Sequence, residues 1–287
     1  MKLQTITVSV AGTAYQISAG DAPTERASDL PKLLQGFVTN NAPDFFIEVV
    51  KRLPHSLEAR MPAHGSKCIF GELSSGEYFF RLKGLRGHVS LHERRALLET
   101  VILNDYQYLP DSRFLITRLW LLVLLRILHQ GGIAMHSSAV SYRDKALVFF
   151  GPSGIGKSTI AEMLSGTWQT MSEEVNILMP GSDGVRVYST PFSRSVDLMR
   201  VSNVNALLGG LFRIEQSTTN ILMPLSAREV YFYLAGNSYF LPDHVEADAH
   251  LSNCHALLDS STMHGLRFSN ASASLASLKH LLEPFLE

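Results

Sequence analysis

Leu3 to Ser18 alternate apolar and polar positions on either side of Ala11-Gly12, the pattern of two half-buried strands joined by a tight turn. The same alternation reads as a strand pair and not as a signal peptide. A helical stretch is expected around Leu30 to Val38, followed by strand-like runs at Phe45–Val50, Cys68–Gly71, Tyr78–Lys83 and His88–Leu91. The segment "MPAHGSK" (Met61–Lys67) is a connection between them, and Arg94 to Leu103 carries a helical pattern. Next comes the most apolar stretch, Phe114 to Gly132. Arg118 and Arg126 interrupt it about two helical turns apart, and the run between them is too short to span a bilayer. It reads as a buried helix with one wet edge, capped by Asp111 or Ser112 and ended by Gly131-Gly132. Past Gly132 the pattern changes to strands and short loops, and "SLASLKHLLEPFL" near the end reads as an amphipathic closing helix. The chain is therefore expected to be α/β (α+β overall). A smaller α+β domain is expected over 1–130 and a mixed-sheet domain over 131–287.

Composition narrows the class. Of 287 residues, 46% are hydrophobic and 18% charged, enough for packed cores and far from a disordered composition. A formal net charge of -1 gives no electrostatic reason to expect nucleic acid as a partner. Two cysteines, Cys68 and Cys254, cannot form a disulfide framework, so a reduced, cytoplasmic setting is expected, with no membrane partner. His64 with Cys68, and Cys254 with His255 and His264, have no recognised zinc spacing. Trp120 and Trp168 read as packing residues.

The chemistry concentrates in "FFGPSGIGKSTIAEML". Ala146 to Phe150 is a short apolar strand, Gly151 to Ser158 fits G-x-x-x-x-G-K-[ST], and Thr159 to Leu164 continues as helix. Strand, glycine loop and helix in that order define a phosphate-binding loop. Gly151, Gly154 and Gly156 permit backbone angles that turn successive N–H groups inward, and the helix N-terminus adds partial positive charge. Nucleotide contacts are expected along Gly151, Ser153, Gly154, Ile155, Gly156, Lys157, Ser158 and Thr159. Lys157 would reach the β- and γ-phosphates of ATP, and Ser158 would ligate Mg²⁺. Before the loop, "MHSSAVSYRDKALVFF" reads as a hairpin that sets His136 on the strand next to the loop strand. After it, Gln169 to Ser172 reads as a strand ending in Glu173 and Glu174. Carboxylates there are placed to hold Mg²⁺, directly or through water, and to take a proton from a nucleophile.

The residues "HSSAV" (His136–Val140), "GPSGIGKST" (Gly151–Thr159) and "SEE" (Ser172–Glu174) resemble, in order and spacing, the HPr kinase/phosphorylase relatives. Those proteins share a P-loop core similar to that of ATP-dependent phosphoenolpyruvate carboxykinase. The resemblance covers roughly the second half of the chain and is closest to the HPr kinase-related kinases. It implies that His136 lies near the γ-phosphate, that Glu173 and Glu174 serve as catalytic base and metal contact, and that Ser158 and Glu174 hold the metal. Two departures stand out. The first acidic position is glutamate here where the family usually has aspartate, and the E-I-R-G segment of HPr kinase proper is missing. The second departure argues against a bifunctional kinase/phosphorylase.

No N-K-x-D for guanine is present, and neither are the signature and strand-end aspartate of an ABC-type ATPase. The expectation is an ATP-dependent phosphotransferase acting on a serine or threonine of a protein or peptide. A nucleotide sensor with weak catalysis, regulating assembly with a partner, is the alternative, and a phosphoenolpyruvate carboxykinase-like small-molecule enzyme ranks third. Assembly with copies of itself is open. Arg186, Arg194, Arg200 and Arg213 are the candidates for an arginine that stabilises the transferring phosphoryl.

Overall fold

The computed structural model describes residues 5–19, 34–50, 53–58, 69–82, 85–100, 112–192, 203–241, 245–259 and 261–287. Two compact units are present, Met1–Arg126 with Phe240–Ala247, and Ile127–Tyr239 with Asp248–Glu287. The described residues are mixed α/β with two mixed sheets.

The first unit is built on seven strands: β1 (Thr5–Val10), β2 (Thr13–Ala19), β3 (Phe45–Val50), β4 (Ile69–Ser74), β5 (Glu77–Leu82), β6 (Leu85–Ser90) and β7 (Arg95–Thr100). They lie in the order β1-β2-β3-β7-β6-β5-β4. The first turn has φ of 50° at Ala11 and 77° at Gly12, two left-handed residues as a tight hairpin with right-handed twist requires. A single turn of helix, α1, spans His55–Glu58. Buried Tyr15, Phe45, Ile47, Phe70, Tyr78 and Phe80 come from alternate positions of these strands.

Of Arg94 to Leu103, residues 101–103 lie outside the described residues, and the rest is not a helix. Its described part is β7, paired parallel to β3 on one side and antiparallel to β6 on the other. Ala96 and Leu98 are almost wholly buried while Arg95 is exposed and Leu97 half-buried, a period of two. Ala, Leu and Glu favour helix, but a slot open between two strands overrides a propensity difference of a few tenths of a kcal/mol per residue. Of Leu30 to Val38, the described residues form a 3₁₀ turn over Gln35–Phe37 and then extended backbone at Val38. Residues 30–33, Met61–Lys67, His64, Cys68 and Asp111 lie outside the described residues, as does the side chain of Arg118.

Helix α2 (Ser112–His129) includes Ser112 as its first residue. It ends as the glycine pair implies. Gly131 takes φ of 82°, Gly132 N–H donates to the Ile127 carbonyl (3.0 Å) and Gly131 N–H to the Leu128 carbonyl (3.1 Å), closing the last turn. Leu122 to Leu125 are buried and His129 is exposed. Among the described residues, no helix is long and apolar enough to cross a membrane.

The second unit holds β8 (Ile133–Tyr142), β9 (Lys145–Phe150), α3 (Lys157–Leu164), β10 (Gln169–Ser172), β11 (Val175–Gly181), β12 (Gly184–Ser189), β13 (Asn205–Gln216) and β14 (Ile221–Met223). Helices α4 (Ala227–Asn237) and α5 (Ala247–Asp259), strand β15 (Met263–Phe268) and helix α6 (Leu275–Leu282) follow. β9 is central, antiparallel to β8 and parallel to β13. Further pairs β13–β12, β12–β11 and β11–β8 complete a closed circuit of pairings. Both faces are covered. Leu234 of α4 and Cys254 and Leu257 of α5 pack with Met135, Val148 and Leu211. On the other side Ile160 and Leu164 of α3, Leu278 and Leu282 of α6, and Trp168 pack with Leu147, Phe149 and Phe212. Burial on both faces is why β9 reads as an unbroken apolar run.

Candidate nucleotide site

The loop after β9 is held by its own chemistry. Gly151, Gly154 and Gly156 take φ of 151°, 80° and 106°, all left-handed-side conformations that a side chain resists. At Gly156 space is short as well, since a Cβ there would meet the Phe268 ring at 2.9 Å. Gly156 is also the N-cap of α3 and supplies no side-chain cap, so the first N–H groups of the helix stay directed at the loop's hollow. Lys157 is buried with its ammonium folded back, Nζ donating to the carbonyls of Gly151 (2.9 Å) and Pro152 (3.1 Å). Burial pulls the Lys157 pKa below its usual value, and the Glu174 carboxylate partly opposes that shift. The Ser138 hydroxyl donates to the Lys157 carbonyl at 2.6 Å, tying β8 to the first turn of α3.

Glu173 and Glu174 form a bend in what would otherwise be one strand. β10 and β11 both pair antiparallel with the same flank of β8, Ser172 opposite Ala139 and Val175 opposite His136. The bend is held from beneath. Ser137 N–H donates to the Glu174 carbonyl at 3.1 Å. The fully buried Asn176 amide donates to the Ser137 carbonyl (2.9 Å), the Ser137 hydroxyl (3.0 Å) and the Ser172 carbonyl (3.4 Å). Asn176→Leu keeps the branched heavy-atom skeleton, with somewhat more bulk, but removes these donors, so stability should fall by about 1–3 kcal/mol. Urea denaturation checks this, and an unchanged midpoint would mean the bend does not depend on the clamp.

His136, Ser153, Gly154, Gly156 and Lys157 share a cleft of about 250 Å³ with Ser158, Thr159, Glu173 and Glu174. That is below the roughly 300–1,000 Å³ of pockets that enclose a whole small ligand, and suits a phosphate chain. Gly151 and Ile155 do not line it. Ile155 packs instead against the core beneath α3. His136 Nδ1 lies 3.2 Å from the Glu174 carbonyl and 3.6 Å from Glu174 Oε1. Glu173 is exposed within the cleft. The residues expected at the site are thus brought together, apart from those two loop positions. Among the described residues no group of three or more His, Cys, Asp or Glu could cage a metal ion. A phosphate-bound Mg²⁺ needs only one or two protein oxygens, and Ser158 and Glu174 both line the cleft.

The arginine candidates separate. Arg186 pairs with Asp183 (2.9 Å) and Asp144 (3.3 Å). Asp144 precedes β9, whereas the loop follows it, roughly 20 Å away along the strand. Arg213 lies opposite Phe150 at the loop end of β13, but it bonds Glu215 and covers the Tyr233 ring at 4.7 Å on the face that carries α4. Arg194 and Arg200 lie outside the described residues. Trp168 is buried, as packing implies, and Cys254 is a buried thiol that burial pushes up to about 11. Asn176 and Tyr239 were not foreseeable. Asn176 sits inside an apolar strand, and the Tyr239 hydroxyl reaches His136 Nδ1 at 3.3 Å from 103 residues away.

No family model matches the chain. No curated protein matches it either. Among solved structures, the chain is similar to an HPr(Ser) kinase/phosphatase from Coxiella burnetii at 14% identity and a TM-score of 0.25. The match covers 33% of this chain and 64% of that one, so the chain spans less than two thirds of that protein's length. At that level the functional reading rests on the cleft itself.

Proposed function

We propose that this protein is an ATP-dependent phosphotransferase of the HPr kinase-related type, acting on a serine or threonine hydroxyl of a protein or peptide. The observation that carries it is the single cleft in which the glycine loop, Lys157 and Ser158 face His136 and the Glu173–Glu174 bend. The left-handed glycines and the side-chain-free N-cap make the loop a cradle of N–H donors, which fits a polyphosphate. When bound, Mg-ATP supplies the activated phosphoryl group and the divalent charge. Lys157 then turns from its own loop carbonyls to the phosphate oxygens and neutralises charge there, while Ser158 and Glu174 supply oxygens for the metal. Glu173, exposed in the cleft, accepts the proton of the attacking hydroxyl as the new oxygen–phosphorus bond forms and the bond to the departing diphosphate breaks.

The test is transfer from ATP labelled on its γ-phosphate to proteins of the source cell and to serine- and threonine-containing peptides. Label on a hydroxyl amino acid is the expected result. Tight Mg-ATP binding with neither transfer nor turnover would instead support a nucleotide sensor, the reading that glutamate in place of the family's aspartate favours.

A further inference from the structure

Three oxygens surround one nitrogen of His136: the Glu174 carbonyl at 3.2 Å, Glu174 Oε1 at 3.6 Å and the Tyr239 hydroxyl at 3.3 Å, all at Nδ1. The carbonyl and the ionised carboxylate can only accept. A lone pair on Nδ1 would face two other lone pairs, whereas a proton there meets all three oxygens favourably. The phenol is itself well anchored. Tyr239 N–H donates to the Ala134 carbonyl at 2.8 Å, and its neighbour Ser238 bridges Met135 and bonds the buried His250 Nε2 at 2.7 Å. Ser238 and Tyr239 are thereby laid along β8, the strand that carries His136. The phenol ring meets the imidazole edge-on, with centroids 6.2 Å apart and planes at 83°, which restricts rotation of the histidine ring.

We infer that Tyr239 is a positioning residue that, with Glu174, fixes His136 as the Nδ1–H tautomer. The neutral ring then carries its acceptor lone pair on Nε2, on the opposite side of the ring. Phosphate oxygens are acceptors as well, so a neutral His136 in this tautomer has nothing to donate to them from Nε2. What it can hold is a hydrogen-bond donor of the incoming substrate other than the attacking hydroxyl, whose one proton goes to Glu173, and a backbone N–H beside the serine or threonine is such a donor. His136 therefore orients the acceptor, and the phosphates are left to Lys157 and the loop amides. This division of labour rests on the phosphotransferase reading, but the tautomer itself does not.

The experiment is long-range proton–nitrogen NMR correlation on the full chain without nucleotide, near pH 8.5, about two units above the ordinary imidazole value. His136 is assigned by the signal missing from His136→Gln. The expected result is a protonated Nδ1 and an unprotonated Nε2. In Tyr239→Phe, which keeps the ring and loses only the hydroxyl, the two His136 nitrogens should move toward the averaged shifts of an interconverting imidazole. A protonated Nε2 in the wild type overturns the inference, and so does a His136 signature unmoved in Tyr239→Phe. Mg-ATP affinity of Tyr239→Phe should stay within about twofold of wild type. A tenfold loss, about 1.4 kcal/mol, would place the hydroxyl's effect on the phosphates and overturn it too. Failure of the phosphotransferase reading shows separately, as absent nucleotide binding or transfer, with the tautomer unaffected.

Discussion

Lys157→Met should abolish most nucleotide affinity and leave the unliganded protein at least close to wild type in stability. The two halves of this result have different causes. Hydrogen bonds to charged groups contribute about 1.5–3 kcal/mol, so losing the ammonium contact should weaken Mg-ATP binding on the order of a hundredfold. At a concentration near 100 times the wild-type Kd, Mg-ATP stabilises by about 2.7 kcal/mol, and after a hundredfold loss by only about 0.4 kcal/mol. In the unliganded state the ammonium is buried, and burial lowers its pKa, so the charged form is disfavoured by folding. A depressed lysine pKa means the unfolded chain binds more protons between the folded and unfolded values. Stability contributed by this group therefore rises with pH through that window, and the penalty is fully present below it. Methionine keeps the stem and removes the penalty, which offsets the lost bonds to the Gly151 and Pro152 carbonyls. Thermal melts with and without Mg-ATP check both halves. Equal nucleotide stabilisation of mutant and wild type would remove the loop from the binding site.

The parts of this protein that could be read from sequence are those whose cause is local. Ala11-Gly12 between alternating residues leaves only a tight turn, and the turn has the left-handed pair that such a hairpin needs. Gly131-Gly132 after an apolar helix gives the closing carbonyl bonds at Ile127 and Leu128. The glycine loop is local as well, because its φ values and the helix that follows are written in nine consecutive residues. Arg95–Thr100 failed because its cause is distant. Its own residues favour helix, and only the slot between β3 and β6 makes it a strand. The cleft is divided in the same way. His136 and the acid pair could be named, but not why they meet, since that depends on β10 and β11 sharing one flank of β8. Asn176 acts only through that register and Tyr239 only through its bond to Ala134 of β8, and neither carried a signal in the chain.

The second large effect is expected at Glu173. Glu173→Gln should retain Mg-ATP affinity and lose phosphoryl transfer on the order of a hundredfold or more, because the amide is nearly isosteric yet cannot accept a proton. The binding half follows from position. Glu174, not Glu173, lies beside His136 and acts on the Lys157 charge, so the neighbourhood of the ammonium survives the substitution. The more informative variant is Glu173→Asp. Shortening the side chain by one methylene withdraws the carboxylate by about a bond length, a displacement that can change a rate a hundredfold when a reacting proton is involved. The bend that carries it is rigidly held by Ser137 and Asn176, so the backbone cannot follow. A fall in transfer would show a site built around the longer acid, and hence a working kinase with its own spacing. A rise would show that the natural residue damps catalysis, and that bound nucleotide serves chiefly as a signal. Single-turnover transfer, with Mg-ATP affinity measured alongside, separates the two. Wild-type rates in both variants would mean that the proton leaves by another route, with His136 the next group to substitute.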